Sequence, residues 1–322
     1  VEAGVDALII SDLGAFSIAR QYKDNIHLHV STQASNTNYR AADEWHRMGA
    51  SRIVLARELS FKEIAELRAG VSDELEIEMF VHGAMCMAYS GRCLLSSYLT
   101  GRDANGGACA QPCRWKYYVT EETRPGERME LHEQEEGTFL FNAKDLCLID
   151  YLDEISHAGV NSLKIEGRMK TFYYNAIVTK AYRQAIDAYA QTGAAYREDP
   201  YYREELCKVS HREYSTGFAF GRPGADGQIY GSSSYIRTYD GVGIVRSSEP
   251  GRVVIEQRNR FCVGDEVEFV PPRGRFYPHT ISYMKNEAGE AITAAPHAQM
   301  LVETDAPAEQ FPVGTIVRKQ CE

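Results

Sequence analysis

Short apolar runs alternate with segments of helical hydrophobic spacing through the first two-thirds of this 322-residue chain. The apolar runs, each long enough for a strand, cover residues 7–10, 27–30, 52–55, 76–81 and 162–165. The segments with helical spacing cover residues 16–22, 38–48, 61–68, 146–157 and 172–189. Because strands that alternate with helices pair in parallel, this order predicts an α/β domain built on a parallel sheet.

Polar side chains follow each of the five predicted strands. They are Ser11-Asp12, Ser31-Thr32-Gln33, Arg57-Glu58, His82-Gly83 and Glu166-Gly167-Arg168. The carboxyl ends of the strands in a parallel barrel form one rim that carries the chemistry. We therefore expect an incomplete (β/α)8 TIM-like barrel, which lacks about three N-terminal strands because the chain opens at Val1 without a methionine. Helix caps and turns are the alternative interpretation of these polar residues, and no glycine-rich phosphate loop supports an open doubly wound sheet.

The sequence pattern changes twice along the chain. The predicted barrel covers residues 1–195 and is interrupted by a cysteine-rich insertion at residues 83–140. A polar connecting segment, rich in tyrosine and arginine, covers residues 196–225. Residues 226–322 contain short alternating runs that are separated by turn residues. This pattern predicts a small all-β barrel domain at the C-terminal end.

The charge balance limits the kinds of partner. Lys and Arg number 35 against 45 Asp and Glu, which gives a net charge of −10. An extended basic surface for nucleic acid is thereby excluded, so any RNA contact has to be local. No apolar stretch reaches the roughly 18 residues of a membrane helix, and no charged and then apolar leader opens the chain. We therefore expect a cytoplasmic protein without membrane contact.

Four of the eight cysteines, Cys86, Cys93, Cys109 and Cys113, lie within the predicted insertion at a spacing that suits a shared inorganic ligand. A reducing cytosol does not maintain structural disulfides, so thiols grouped in this way favour a metal or redox role. Structural zinc sites use tighter pairs, and only the Cys109 and Cys113 spacing fits that pattern. The wider gaps favour an iron–sulfur cluster, with zinc and unligated thiols as alternatives. Cys147, at the start of a predicted helix, is either a small core residue or a fifth thiol near the site.

Several polar residues are candidates for contact with a substrate. His82 ends a predicted strand, where an imidazole can act as a general acid or base, although a structural histidine is the alternative. Lys164, Glu166 and Arg168 cluster at the last predicted barrel strand, where they either hold an anionic substrate or form a salt-bridged rim. Arg114 and Trp115 combine a cation with a stacking surface, which suits a nucleic-acid base.

Four sequence blocks resemble one known family. The run EMFVHGAMCMAYSGRCLLSS at residues 78–97 is similar to the signature of the collagenase-like peptidase family of unassigned catalytic type, peptidase family U32. The blocks STQAS at 31–35, FNAKDL at 141–146 and SLKIEGRMK at 162–170 resemble further segments of that family. The resemblance covers residues 1–222, and with Cys109, Cys113 and the following Arg-Trp-Lys it is closest to the prephenate-dependent tRNA uridine-hydroxylating branch.

The resemblance implies a specific activity and ligand set. It implies an enzyme that 5-hydroxylates the wobble uridine of tRNA with prephenate as the oxygen donor and a 4Fe–4S cluster on the four cysteines of the insertion. Cys147 is a possible substitute for Cys113 in that ligand set. It further implies catalytic roles for His82, Glu166 and Arg168. The expected substrate-binding residues are Gln33, Arg114, Trp115, Lys144 and Lys164.

The resemblance also leaves alternatives. A second subunit of the same family is a possible partner. The alternative function is that of a peptidase, in which Cys86 and His82 would form a nucleophile and base pair. The sequence contains neither His-Glu-x-x-His nor Gly-x-Ser-x-Gly. A nucleophilic thiol gains nothing from three neighbouring cysteines, whereas a cluster requires them.

Overall fold

The computed structural model describes residues 2–86, 89–104, 106–115, 118–119, 129–130, 143–227, 229 and 235–321. The chain divides into two compact units. The first unit comprises Val1–Glu166 and Arg212–Ser234, and the second comprises Gly167–His211 and Tyr235–Glu322. The limits expected from the sequence, at 195 and 226, stay a prediction, because these units follow packing contacts rather than continuous segments. Much of the predicted insertion after residue 115 lies outside the described residues.

The first unit is mixed α/β. Its strands are β1 (Ala7–Ile10), β2 (His27–Val30), β3 (Arg52–Val54), β4 (Glu76–Gly83), β5 (Tyr118–Val119), β6 (Met129–Glu130), β7 (Asp145–Cys147), β8 (Ser162–Ile165) and β9 (Tyr214–Ser215). Its helices are α1 (Leu13–Ala19), α2 (Tyr39–Arg47), α3 (Phe61–Ala69), α4 (Leu95–Thr100) and α5 (Leu152–His157).

Five strands of this unit are parallel and lie beside one another in the order β1, β2, β3, β4 and β8. Short β7 pairs antiparallel with the last two residues of β4 and parallel with β9. A run of parallel neighbours in chain order confirms the expected α/β class. Closure into a barrel is not established by these strands.

Local sequence signals fix where the helices of this unit begin. The Asp12 carboxylate accepts a hydrogen bond from the Ala15 amide at 2.8 Å, which caps α1. Asn38 caps α2 in the same way. Ser60 and Glu63 form a capping box at the start of α3. Each cap satisfies an amide that the first helical turn leaves without a partner. These caps orient the loops that follow β1, β2 and β3.

One predicted helix is partly wrong. The spacing of residues 146–157 predicts a single helix, but only Leu152–His157 is α-helical. Leu146 and Cys147 instead belong to strand β7 and pair with the end of β4. A short apolar run fits a buried strand as well as a helix, and here the unpaired end of β4 decides between them. Cys147 therefore does not open a helix.

The second unit contains two helices and an antiparallel sheet. The helices are α6 (Phe172–Thr192) and α7 (Pro200–Cys207). The strands are β10 (Tyr239–Glu249), β11 (Arg252–Gln257), β12 (Phe261–Cys262), β13 (Glu266–Val270), β14 (Tyr277–Thr280), β15 (Met284–Lys285), β16 (Ala294–Ala295), β17 (Leu301–Asp305) and β18 (Ile316–Gln320). Seven strands form one sheet in the order β14, β13, β18, β10, β11, β17 and β15. The expected all-β domain at the C-terminal end is confirmed.

A buried ion cluster links the helices of the second unit to its sheet. Arg318 on β18 is fully buried, and both oxygens of Glu205 on α7 accept hydrogen bonds from its guanidinium at 2.8 Å. Glu268 on β13 lies 2.6 Å from the same guanidinium. Buried charges persist when they are paired in this way. The pairing raises the pKa of Arg318 despite its burial. The cluster holds α7 against the sheet.

Candidate functional site at the carboxyl ends of the parallel strands

The site begins at the carboxyl end of β4. His82 is 1% exposed, and its ring centroid lies 5.3 Å from that of Tyr214. The His82 carbonyl accepts a hydrogen bond from the Glu166 amide at 2.9 Å, which brings the end of β8 beside the end of β4. The pairing register of β4 and β8 shifts between Phe80 and His82. Such an irregularity redirects side chains at a strand end.

The cysteine excursion, defined here as residues 84–115, crosses the carboxyl ends of β2 and β3. Gly91 adopts a φ of +75°, and a Cβ there would lie 2.3 Å from the Gln33 carbonyl oxygen. The Ser90 amide donates a hydrogen bond to the Glu58 carboxylate at 3.1 Å. The backbone at Ser90 and Gly91 therefore lies against the loops that follow two strands. Gln33 and this excursion, both predicted as parts of the site, lie together.

Arg57 connects the strand ends to the first cysteine. Its guanidinium lies 3.7 Å from the centroid of the Phe80 ring, and its Nη1 donates to the Cys86 Sγ at 3.6 Å. Arg57 is among the polar residues that follow a predicted strand, but the sequence does not predict Arg57 as a site residue. Its position in the loop after β3, three residues beyond the end of that strand, was the available signal, because such loops form the rim.

A turn presents the second pair of cysteines. The Gln111 amide donates to the Cys109 Sγ at 3.3 Å, and Gln111 adopts the left-handed conformation. The Ala110 amide donates to the Oγ of Ser96 at 2.9 Å, and Ser96 is fully buried in α4. Helix α4 begins two residues after Cys93, so this hydrogen bond ties the two halves of the excursion together.

The four thiols have the donor chemistry of an iron–sulfur ligand set. Cys86 is exposed, Cys93, Cys109 and Cys113 are half-buried, and none of them is in a disulfide. Thiolates are the usual ligands of such clusters. Within the described part of the chain, however, no group of three or more His, Cys, Asp and Glu side chains is arranged to hold a metal ion. The ligand set stays a prediction.

Lys164 is part of a paired charge network rather than an open cation. Its Nζ lies 3.0 Å from Glu78, which is 7% exposed on β4. Arg52 reaches the same carboxylate at 3.1 Å, and the Ser162 hydroxyl donates to it at 2.9 Å. Burial alone would raise the pKa of Glu78, but Lys164, Ser162 and Arg52 outweigh it and hold this pKa below its ordinary value.

The other predicted residues are not all gathered at this place. Lys144 lies 3.1 Å from Glu213, so its charge is also paired. Arg168 is exposed in a turn of the second unit. Trp115 is 48% exposed at the end of the excursion, whereas the Arg114 side chain lies outside the described part of the structure. Cys147 is 1% exposed in β7, opposite His82, as expected of a core cysteine.

A serine, a histidine and an aspartate also meet in the second unit. The Ser282 hydroxyl donates to Asp305 at 2.8 Å, and His279 Nε2 lies 2.8 Å from the same carboxylate oxygen. Ser282 thus bonds the carboxylate rather than the imidazole, whereas a serine nucleophile needs a base on its own hydroxyl. Burial would raise the pKa of Asp305, but hydrogen bonds from the Ser282 amide and hydroxyl, together with those of the Tyr283 amide and His279, lower it to about 2. The arrangement joins the segment at residues 279–283 to the end of β17.

The described helices include none that is long and apolar enough to cross a membrane.

Comparisons with known sequences place the chain in one family. The profile of Peptidase family U32 matches residues 1–229, and that of the Peptidase family U32 C-terminal domain matches residues 237–318. The chain is 40% identical to tRNA hydroxylation protein P1 of Bacillus subtilis, with 94% of this chain and 71% of the relative covered. It is 38% identical to tRNA hydroxylation protein P of Escherichia coli, with 92% and 73% covered.

A third relative is named as a collagenase rather than as a tRNA hydroxylation protein. The Collagenase of Porphyromonas gingivalis is 32% identical over 84% of this chain and 66% of its own length. Among solved structures, the C-terminal domain of a Geobacillus thermoleovorans U32 peptidase is 28% identical, with a TM-score of 0.24. It covers 26% of this chain and 93% of that chain. The expected family, with its tRNA-hydroxylation and peptidase labels, is confirmed.

Proposed function

The chain belongs to peptidase family U32, and from this membership we propose that it is an enzyme that 5-hydroxylates the wobble uridine of tRNA with prephenate as oxygen donor. Relatives named for tRNA hydroxylation, which match over more than nine-tenths of the chain, support the substrate class. The observation that carries the proposal is the placement of the cysteine excursion directly over Gln33 and Glu58 at the strand ends.

We propose that Cys86, Cys93, Cys109 and Cys113 hold a 4Fe–4S cluster, which would supply one-electron redox chemistry when bound. Their location in one excursion and the absence of a disulfide at each of the four support this ligand set. The chain's own residues would do the positioning. His82 and Glu166, joined through the backbone at the end of β4, are the proposed proton-handling groups. Arg168 keeps its proposed role in holding substrate.

Contact with the RNA is proposed for the exposed end of the excursion. Trp115 offers a half-exposed indole, and an aromatic face stacks on any base. Arg114 is proposed to contact the same RNA. Since the chain as a whole is acidic, a local contact of this kind fits better than a broad basic surface. A cytoplasmic location and a partner subunit of the same family are further proposals.

For the fold, we propose that the five parallel strands are part of an incomplete (β/α)8 barrel. Neighbouring strands that follow one another in chain order support it, because a doubly wound sheet reverses its strand order at the centre.

Peptide cleavage is the alternative function. The relative named Collagenase supports it at the level of the family. The geometry of the site favours peptide cleavage less than hydroxylation. His82 is buried in β4, whereas Cys86 is exposed and accepts a hydrogen bond from Arg57. A base that activates a thiol has to reach that thiol.

The proposal is tested by mass spectrometry of tRNA nucleosides. A strain that lacks the full-length gene is complemented with the wild-type gene or with a Cys86→Ser or Cys109→Ser variant. We expect 5-hydroxyuridine derivatives only with the wild-type gene. The protein, purified without oxygen, is assayed for iron and sulfide in parallel. If colourless, iron-free wild-type protein still restores the modification, the proposed cluster is wrong. If the nucleosides of the deletion strain are unchanged, the proposed tRNA substrate is wrong.

A further inference from the structure

Arg57 differs from the other cations near the strand ends because no carboxylate pairs with it among the described residues. Arg52 and Lys164 both pair with Glu78, and Lys144 pairs with Glu213. The recorded contacts of Arg57 are instead the Phe80 ring and the Cys86 Sγ. Within the described part of the chain, the positive charge of Arg57 is therefore not neutralised by a carboxylate.

The neighbouring carboxylate, Glu58, bonds to the excursion through one of its oxygens. Glu58 accepts the Ser90 amide at 3.1 Å, which anchors the excursion. The second oxygen of Glu58, Oε2, is buried and has no hydrogen-bond partner among the described residues. The charge of Arg57 is half-buried, and a partly buried cation interacts more strongly with an anion than one in open water.

The stacking on Phe80 sets the geometry of the Arg57 fork. With 3.7 Å between the guanidinium carbon and the ring centroid, one face of the planar group is covered by the ring. The N–H groups of guanidinium point outward in its plane, where they match the two oxygens of a carboxylate. The Nη1 group of Arg57 donates to Cys86. An acid bound by the remaining N–H groups of the guanidinium would therefore lie beside Cys86, the first cysteine of the excursion.

We propose that Arg57 binds a carboxylate of the small organic acid that serves as oxygen donor, and so places that acid beside Cys86. This inference rests on the proposed function, since prephenate carries the carboxylates that Arg57 would recognise. A carboxylate fits better than an RNA phosphate, because the half-buried fork against an aromatic ring receives a small planar group more readily than a polymer backbone. Lys164, charge-paired with Glu78, is then a poorer anchor than the sequence indicated.

The experiment measures prephenate binding to the holoenzyme, purified without oxygen, by calorimetry. We expect Arg57→Gln to weaken prephenate binding about 10- to 100-fold, the range for a charge-assisted hydrogen bond, and Arg57→Lys to weaken it less. Arg92→Gln, which removes an exposed cation from the same excursion, is the matched control and should leave the affinity unchanged. Iron content and tRNA affinity should be the same in all four proteins.

Several other results of these measurements overturn the inference. Unchanged prephenate affinity in Arg57→Gln removes it. If Arg57→Gln binds tRNA more weakly but prephenate normally, Arg57 contacts an RNA phosphate. If Arg57→Gln loses iron, Arg57 positions Cys86 instead. Wild-type protein that binds no prephenate also removes the inference, even if it restores hydroxyuridine. If prephenate binding depends on Arg57 but the protein modifies no tRNA, the proposed function is wrong and the role of Arg57 in binding the acid stands.

Discussion

Gly83 approaches Glu166 so closely that a Cβ at position 83 would lie 2.4 Å from the Glu166 carbonyl oxygen. Gly83 also has a φ of +112°, a conformation that residues with a side chain rarely adopt. The ends of β4 and β8 can therefore meet at the site only because residue 83 has no side chain. The contact joins two loops that both carry proposed catalytic residues.

Gly83→Ala should lower the free energy of unfolding by about 2–4 kcal/mol, from the strained backbone together with overpacking against Glu166. Urea denaturation followed by circular dichroism measures this change. Gly101→Ala is the matched control, because Gly101 has a φ of +68° but no neighbour within 4 Å of the added Cβ. Its cost should be about 1 kcal/mol. Equal losses in the two variants would show that the contact with Glu166 is unimportant.

Glu78→Gln should destabilise the first unit by about 1–3 kcal/mol at neutral pH, because Arg52 and Lys164 would lose the carboxylate between them. The exposed pair of Arg47 and Glu44 provides the control, and Glu44→Gln should change stability by less than about 1 kcal/mol. Both variants are compared with wild type in urea.

The Glu78 contribution should also depend on pH. The folded-state pKa of Glu78 is lowered, so its stabilising effect is present above the ordinary value of 4.5 and is lost as pH falls through the folded-state pKa. The difference between wild type and Glu78→Gln should therefore shrink in acid. A constant difference across that range would contradict the assignment.

Lys180→Met should stabilise the second unit. Lys180 on α6 is 8% exposed, and burial lowers its pKa from 10.5 to about 8, although Glu205 partly opposes the shift. Below pH 8 the folded state must bury the charge, whereas above 10.5 the lysine is neutral in both states. The gain should be roughly 2–3 kcal/mol at neutral pH and should vanish in strong alkali. Lys285→Met, at a side chain 47% exposed, is the matched control and should not raise the stability in thermal unfolding at neutral pH.

Trp115→Ala should weaken tRNA binding about 5- to 100-fold in a filter-binding assay, the effect of losing one stacked base. Leu94→Ala removes a side chain that is 71% exposed on the same excursion but cannot stack, and it should bind tRNA like wild type. If both substitutions weaken binding equally, the excursion contacts RNA through its shape rather than through the indole.

The sequence predicted the regular elements of the first unit well. Strands β1, β2 and β8 have the predicted ends, and β4 extends two residues beyond its prediction. Hydrophobic period and capping residues are local signals, so a single sequence contains them. Strand β7 was missed because its short apolar run fits a helix equally well, and the partner that makes it a strand lies more than sixty residues away in the chain.

The arrangement of the site was harder to predict. The contact of Gly91 with Gln33 joins two loops through backbone atoms, and no residue type marks such a contact. The pairing of Lys164 with Glu78 likewise depends on two strands that only the fold brings together. Residue chemistry suggested which groups could act, but it could not distinguish a neutralised cation such as Lys164 from an open one such as Arg57.

The anchoring of the excursion at Gln33 and Glu58 uses only backbone atoms and one carboxylate, and no sulfur takes part. Part of the conformational entropy of Ser90 and Gly91 is therefore lost when the chain folds, before any ligand arrives. A ligand shared by the thiols would then order fewer residues when it binds. The smaller entropy cost favours tight binding. Protease resistance of this segment should then be similar with and without iron.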